Sequence, residues 1–597
     1  MTYRAPLGEI LFTLEHVAGL GVAVRDGLFG GLDDDLVRAL LDQAGSFAEG
    51  VLAPLNRTGD VEGVRFADGA VRTPTGFRDA YRRWADAGWN GVALPEEWGG
   101  AGLPVMLNTA VMEMHTAACM AFGMGPVLTQ GASDALIAHA SEALKARWLP
   151  KLVSGEWTAT MNLTEPQAGS DLGLLRTRAV PAGDGTYRIT GQKIFITCGE
   201  HDLSDNIVHL VLARLPDAPA GTKGISLFLV PKRLLDEDGS PGALNDVRCA
   251  GVEHKLGLHG SPTCTMVFGE DGSLGGGAVG WLVGEENRGL ACMFTMMNRA
   301  RLATGLQGVS IGDRAYQQAL AFAQERRQGR APGAAGTSPI VDHPDVRRML
   351  LTMRALTAAG RAIAYTTAEA IDRAERGGDA AAQERADLLT PVTKAFCTDA
   401  GIEVASLGIQ VHGGMGFVEE TGAAQLLRDV RITSIYEGTN GIQAIDLVTR
   451  KLPRKGGEPV RAMLAGWRAI VADVAADVAA ADASAFGAMA PRLTEALDAV
   501  ERATGWLLAG GRDVEETLAA ATPYMRLFGL TAGGVLLAKG AVAALGLLRA
   551  GQDDPALRGR IATARFYAED LLTAAPGLAQ TTMEGGATLR AGVDAFA

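Results

Sequence analysis

Three observations predict a multidomain α+β chain, with helical, antiparallel β, helical and further helical regions in that order. At 597 residues the chain exceeds what one core serves and suits roughly three or four domains. Its apolar periodicity switches from helical to alternating near Thr164 and back near Leu290. Residues 451–459 (KLPRKGGEP) combine Pro, Gly and charge and set off a last Ala- and Leu-rich stretch.

Residues 1–35 read as a leader segment with a Gly-rich hinge at Gly27, Gly30 and Gly31. Residues 36–160 read as an N-terminal helical domain, in which Leu36, Leu40, Leu41 and Ala44 share a face. A second helical run, 107–120, is rich in Met and Ala. The middle region, 161–289, alternates apolar and polar residues over 187–189, 194–196, 208–212, 225–229 and 266–268. Gly-rich turns separate these segments, as in antiparallel sheets. Helical spacing over 290–455 is broken by 329–339, whose composition suits an exposed loop. In 456–597, Met463, Leu464, Trp467, Ile470, Val471 and Val474 share a helical face. Residues 527–548 are apolar enough to weigh as a membrane span, but Lys539 near their centre favours a helix buried among others.

Composition excludes several classes of function. Hydrophobic content of 47% and charge of 21% are ordinary for a globular protein. A net charge of −13 argues against nucleic acid or an anionic membrane as the main partner. Six scattered cysteines without Cys-x-x-Cys read as reduced thiols, and the nine histidines form no His-x-x-x-His pair, so no metal site is expected. The N-terminus shows no signal-peptide pattern, and the expected location is cytoplasmic. No Gly-x-Gly-x-x-Gly joins a strand to a helix, which disfavours nicotinamide cofactors.

Residues 432–443 (ITSIYEGTNGIQ) put one carboxylate, Glu437, on a Glu-Gly turn between an apolar strand-like run and a helix start. Thr439 or Asn440 can cap that helix, and Asn440 with Gln443 has capping-box spacing. A carboxylate at such a turn can lie close to a ligand and have its pKa tuned there. An isolated Glu-Gly-Thr is usually turn chemistry alone. Five other segments change that: 77–100 (FRDAYRRWADAGWNGVALPEEWGG), 148–171 (WLPKLVSGEWTATMNLTEPQAGSD), 191–199 (GQKIFITCG), 253–263 (EHKLGLHGSPT) and 410–417 (QVHGGMGF). In this order and spacing, from about residue 36 to 452, the chain resembles the acyl-CoA dehydrogenases, flavoenzymes that desaturate acyl thioesters.

The resemblance implies an N-terminal helical domain, an antiparallel β-barrel domain, a C-terminal four-helix bundle and an added helical domain. It implies FAD as cofactor and Glu437 as the base that removes the α proton. The rival base position on an earlier helix is Ala300, so no second carboxylate competes. Met161, Leu163 and Thr164 match residues that touch the isoalloxazine, and Phe195 and Thr197 match its other face. Arg326, Gln410, Gly413, Gly414 and Thr439 match further cofactor contacts. Ser170, Asn298, Arg301 and Gly438 match substrate contacts. Departures include Gly329 in the Arg326 motif, Pro344 after His343, and Gly441. His412, within the Gly-rich loop, reads as a packing residue.

A bacterial subgroup with an added C-terminal domain is the nearest likeness. It implies a short or medium acyl-CoA substrate, 3-methylmercaptopropionyl-CoA foremost. It also implies electron-transferring flavoprotein as acceptor, a homodimer, and no stable membrane insertion. The rival readings are a long- or very-long-chain enzyme with a membrane-docking C-terminal domain, an oxygen-using oxidase, and a DNA-associated, non-catalytic relative. The last is disfavoured because the C-terminal region has no Lys/Arg run.

Overall fold

The computed structural model describes residues 3–272, 274–480 and 483–596. Its first helices are α1 (Leu7–Phe12), α2 (Leu20–Arg25), α3 (Asp34–Phe47), α4 (Leu55–Glu62), α5 (Phe77–Asp86), α6 (Val105–Ala118), α7 (Met120–His139) and α8 (Glu142–Val153). A small hairpin, β1 (Arg65–Ala67) with β2 (Ala70–Arg72), interrupts them. Ten strands follow: β3 (Thr158–Asn162), β4 (Arg178–Pro181), β5 (Tyr187–Thr197), β6 (Ile207–Arg214), β7 (Ile225–Pro231), β8 (Arg233–Leu235), β9 (Pro241–Leu244), β10 (Val247–Val252), β11 (Thr263–Phe268) and β12 (Ala278–Val283). Then come α9 (Gly289–Glu325), α10 (Pro344–Gly377), α11 (Ala380–His412), α12 (Ala423–Val430) and α13 (Asn440–Asp446). The last helices are α14 (Glu458–Ala480), α15 (Met489–Leu508), α16 (Val514–Arg549), α17 (Pro555–Phe566) and α18 (Ala575–Ala591). These residues form two compact units, one of 46–108 and 118–300, the other of 1–45, 109–117 and 301–597.

In the first unit the sheet closes on itself. Strands pair in the order β5, β12, β7, β6, and β4 bonds to both β6 and β5 to complete the ring. β11 and β10 extend it from β5, and β3 adds beside β6. Most pairs are antiparallel as expected, but β3 and β4 run parallel to β6. Parallel neighbours need a long connection, and the chain from 163 to 206 supplies it between β3 and β6. The two expected segments at 187–189 and 194–196 are one strand, β5. β6 is buried on both faces. Val208, Leu210 and Leu212 join a core with α7 and α8, while Val211 and Ala213 join the core that includes Ile189 and Phe228. Trp148 of α8 anchors the first core against Trp157, at 5.6 Å between ring centroids, and against Trp281, at 6.1 Å.

The second unit is helical. On α9, Gly305 and Gly308 bring its backbone against α11. A Cβ at Gly305 would sit 2.4 Å from the Thr393 carbonyl oxygen, and one at Gly308 2.2 Å from that of Cys397. From the other side, a Cβ at Gly401 would lie 2.5 Å from the Gly308 carbonyl oxygen. Only glycine allows this approach. Asp379 caps α11, its Oδ1 accepting from the backbone N–H of Ala381 and Ala382. Leu36, expected on the inner face of α3, is 45% exposed, because Val37, Leu41 and Ala44 form that face instead.

α16 organises the added helical region. Gly529 meets Phe396 of α11, Gly533 meets Ala359 of α10, and Phe528 stacks at 5.0 Å on Trp467 of α14. Among the described residues α16 is the one helix long and apolar enough to cross a membrane, and its most apolar window is 61% buried. Lys539, within it, donates to the Val17 carbonyl oxygen at 2.7 Å. The leader packs into the same unit. Tyr3 is buried, and Gln317 of α9 hydrogen-bonds both the N–H and the carbonyl of Arg4. The loop at 329–339 is partly tied down, with Ser338 N–H donating to the Gly329 carbonyl and Ala331 buried. In 451–459, Lys451 and Arg454 both pair with Asp387 of α11.

The backbone contact between α9 and α11 is testable. Gly308→Val should destabilise the bundle by about 1–3 kcal/mol, read as a lower thermal midpoint. A midpoint equal to wild type would show that the helices can separate without loss.

Candidate active site

Glu437 sits where the local chain is strained. The run before it is a 3-10 helix, Arg431–Ser434, and not a strand as its apolar pattern suggested. Its Ile435 and Tyr436 N–H groups donate back to the Ile432 carbonyl, which tightens the chain into a turn. Glu437 then takes φ 58° and Gly438 φ 81°. A left-handed non-glycine residue costs energy and is held only by firm surroundings. Gln443 provides part of that hold, its Nε2 donating to the Glu437 and Gly438 carbonyls at 3.3 Å each. Gly438, at φ 81°, has a conformation that favours glycine, and a Cβ there would also press on Gln443 Nε2 at 2.7 Å. The expected capping box does not form, because Gln443 turns to the loop and Asn440 turns to α11. Thr439 occupies the N-cap position without a side-chain cap bond.

The Glu437 carboxylate is sheltered and incompletely satisfied. Its Oε2 is buried and has no hydrogen-bond partner. Burial pushes the carboxyl up from its ordinary 4.5 to about 7, although Arg301 and Lys394 pull it down. Arg301, on α9, is 5% exposed and lies 3.9 Å from Asp446 of α13. Lys394, on α11, is fully buried. Tyr436, beside the base, donates its hydroxyl to Gln307 of α9. Glu437 and Gly438 are thus brought together with Arg301, and Thr439 follows directly, its hydroxyl donating to the Ser434 carbonyl at 3.3 Å.

The other predicted contacts fall into separate groups. In the first unit, Met161 closes β3, with Leu163 and Thr164 following it. The Thr164 carbonyl accepts from Ile194 N–H at 2.9 Å, which sets these residues beside Phe195 and Thr197. Phe195 lies on a bulge, since the pairing of β5 with β11 slips between Cys264 and Met266. It has φ 59° and is 59% exposed, so the bulge aims an aromatic ring outward. Ser170 is exposed on the loop after Glu165. Asn298 is exposed on α9 one turn before Arg301. In the second unit, Gln410, Gly413 and Gly414 end α11, and Phe322 of α9 stacks on His412 at 4.5 Å. That places Arg326, at the end of α9, near this loop. His343 Nε2 donates to the Gln328 carbonyl, 2.8 Å away.

A buried ion pair holds the first group. Lys193 and Glu165 are 0% and 3% exposed and 2.8 Å apart. Lys193 also donates to the Leu163 carbonyl at 3.0 Å. Glu165 accepts from the N–H groups of Arg176 and Thr177 and from the Thr177 hydroxyl. Burial raises the Glu165 carboxyl, but Lys193 and these bonds outweigh it and hold it at about 2.

Family models match the chain in four segments: "Acyl-CoA dehydrogenase, N-terminal domain" over residues 35–156, "middle domain" over 160–270, "C-terminal domain" over 287–452, and "Acetyl-CoA dehydrogenase C-terminal like" over 469–591. The chain is 47% identical over 578 residues, 96% of each chain, to 3-methylmercaptopropionyl-CoA dehydrogenase of Ruegeria pomeroyi. The chain belongs to the acyl-CoA dehydrogenase family. It is also 38% identical to a butyryl-CoA dehydrogenase of Syntrophomonas wolfei, over 92% of this chain and 90% of that one. Its fold matches a solved acyl-CoA dehydrogenase of Bacillus anthracis complexed with FAD, with TM-score 0.72, 20% identity, and 92% and 88% of the two chains covered. Like the family, it is an FAD-dependent oxidoreductase acting on acyl-CoA thioesters.

The residues present fit the flavin. Phe195 offers an exposed aromatic face on a strained bulge. Gly413, at φ 61°, and Gly414 leave open space where a Cβ would stand, as a loop that meets a ligand through its backbone needs. Sequence reasoning missed Lys394 and Gln307. Lys394 carried a signal, a lone cation within the apolar helical run 388–397.

Lys193→Met should leave Glu165 as a buried, unpaired charge and cost about 3–5 kcal/mol of stability, together with loss of bound flavin. The wild-type pair has a depressed carboxyl, so its contribution is present above pH ~4.5 and is lost as pH falls toward about 2. A Lys193→Met protein with wild-type stability and flavin content would contradict this role.

Proposed function

We propose that Glu437 is the base of the family's α,β-dehydrogenation, which yields the trans-2-enoyl-CoA. The observation that carries this reading is the buried, unpartnered Glu437 Oε2 on a strained turn. Bound FAD supplies the hydride acceptor for the β carbon, a role no side chain can fill. Oε2 takes the α proton of the thioester. Among the described residues the Glu437 backbone N–H has no acceptor, and in this reading it donates to the thioester oxygen. Arg301 and Lys394 favour the ionised carboxylate, and burial opposes them. The substrate's arrival removes more water and strengthens the base.

Within this reading Met161, Leu163, Thr164, Phe195, Thr197, Arg326, Gln410, Gly413, Gly414 and Thr439 contact FAD. Ser170, Asn298, Arg301 and Gly438 contact the acyl-CoA. The family and the 47% identical relative support 3-methylmercaptopropionyl-CoA or another short acyl-CoA as substrate. Electron-transferring flavoprotein is the acceptor in this reading, in a homodimer within the cytoplasm, where the six free thiols stay reduced. Lys539 and the buried face of α16 speak for a core helix and against membrane docking.

Glu437→Gln should retain FAD and acyl-CoA binding and lose flavin reduction by several decades. Rapid mixing that finds reduction within roughly tenfold of wild type would remove Glu437 as the base. In wild type, kcat/KM should fall as pH drops through about 7, because the base must be ionised. Efficiency that stays flat well below pH 7 would oppose that assignment.

Across a panel of acyl-CoAs, efficiency should peak at short or medium chains and drop in roughly tenfold steps away from the optimum. A peak at very long chains would favour the alternative enzyme class. Light scattering should find a dimer, with 456–597 covering apolar surface that would otherwise be exposed. A monomer or tetramer would contradict this.

A further inference from the structure

Lys394 is a fully buried lysine in the middle of α11, flanked by Val392, Thr393 and Ala395, all buried. Its Nζ donates to Asn440 Oδ1 at 2.8 Å and, among the described residues, makes no ion pair. A buried cation without a paired carboxylate is costly and is usually retained for a purpose. One is to hold the start of α13, next to the turn, through the Asn440 oxygen. The Asn440 amide nitrogen adds to that hold on α11, donating to Asp399 Oδ1 at 2.7 Å, to Thr398 Oγ1 at 3.0 Å and to the Ala395 carbonyl at 3.2 Å.

The charges around Glu437 come from three elements. Arg301 faces it from α9 and Lys394 from α11, while Tyr436 adjoins it on the turn. Arg301 is shared with Asp446 and feels Arg450. Lys394 feels Asp399 on its own helix. Arg301 thus has a carboxylate beside it at 3.9 Å, and among the described residues Lys394 has none in an ion pair.

We propose that Lys394 is a positioning residue of the dehydrogenation, holding the Asn440 side of the catalytic turn and supplying the buried positive charge that balances the Glu437 carboxylate. The inference rests on the reading of Glu437 as the base. Burial raises the Glu437 carboxyl and depresses the Lys394 ammonium, each to about 7, and each charge opposes the shift of the other. Removing the lysine charge leaves Glu437 with burial less opposed, so its carboxyl must rise further.

The test uses the FAD-loaded protein with Lys394→Met and Glu437→Gln. Two quantities are followed against pH: the rate of flavin reduction by a limiting short acyl-CoA, and the infrared band of the protonated Glu437 carboxyl. That band is identified by its disappearance in Glu437→Gln and is read without substrate. In Lys394→Met the acid limb and the band should both move up by about one pH unit, giving roughly tenfold slower reduction below the limb and near wild-type reduction well above it. An unmoved limb and band, or an equal loss at every pH with an unmoved band, would overturn the proposal and leave Lys394 a structural residue. Should Lys394→Met fail to fold, Lys394→Gln keeps a donor for Asn440 Oδ1 and removes the charge. It should move the band upward in the same way, and an unmoved band overturns the proposal equally. An inactive Glu437→Gln beside an unmoved Lys394→Met band rejects the lysine alone. An active Glu437→Gln rejects the base assignment and the lysine with it.

Discussion

The contact between α9 and α11 through Gly305, Gly308 and Gly401 sets the geometry on which the catalytic turn depends. Arg301 stands one helical turn before Gly305, and Lys394 follows the Thr393 carbonyl that Gly305 faces. Backbone that meets backbone has no side chain to re-pack, so these helices cannot slide without a clash. Both cations are therefore fixed in place before the turn carrying Glu437 is considered. The turn then closes on them, held by Gln443 from α13 and by the Tyr436 hydroxyl on Gln307 of α9.

The balance at Glu437 follows from that placement. In a water-poor site a carboxylate with no partner becomes a poor acid, and its pKa rises. Two cations without hydrogen bonds to it limit the rise. The result is a group that titrates near neutrality, which is where a general base is most effective. A direct salt bridge would have depressed the carboxylate much further, as happens at Glu165 against Lys193, where the carboxyl is held at about 2. The same two residue types thus form a short ion pair in the β unit, while in the helical unit, on the proposed reading, they serve a chemical end. The difference is the presence or absence of a short contact.

Much of this was legible from residues alone. The switches of periodicity marked the sheet, and the Glu-Gly pair marked a tight turn, where both residues take positive φ. Lys539 argued for a helix buried among others, and α16 packs against α10, α11 and α14. What the residues could not show was pairing. The bulge that turns Phe195 outward is a mismatch between β5 and β11 and belongs to neither strand. The parallel placement of β3 and β4 beside β6 has no local signal. The capping-box spacing of Asn440 and Gln443 was real, yet tertiary partners on α11 and the turn claimed both side chains. Lys394 lies in an apolar helical run, but its partner Asn440 comes from another helix, and no local pattern shows that contact.

The central claim is that Glu437 Oε2 is the atom awaiting the α proton. A crystal structure of the FAD-loaded protein with a bound, slowly reacting acyl-CoA tests it most directly. The account expects the thioester α carbon within ~3.5 Å of Glu437 Oε2, with the thioester oxygen accepting from the Glu437 N–H. An α carbon set against any other carboxylate, or with Glu437 turned away and hydrogen-bonded elsewhere, would contradict it.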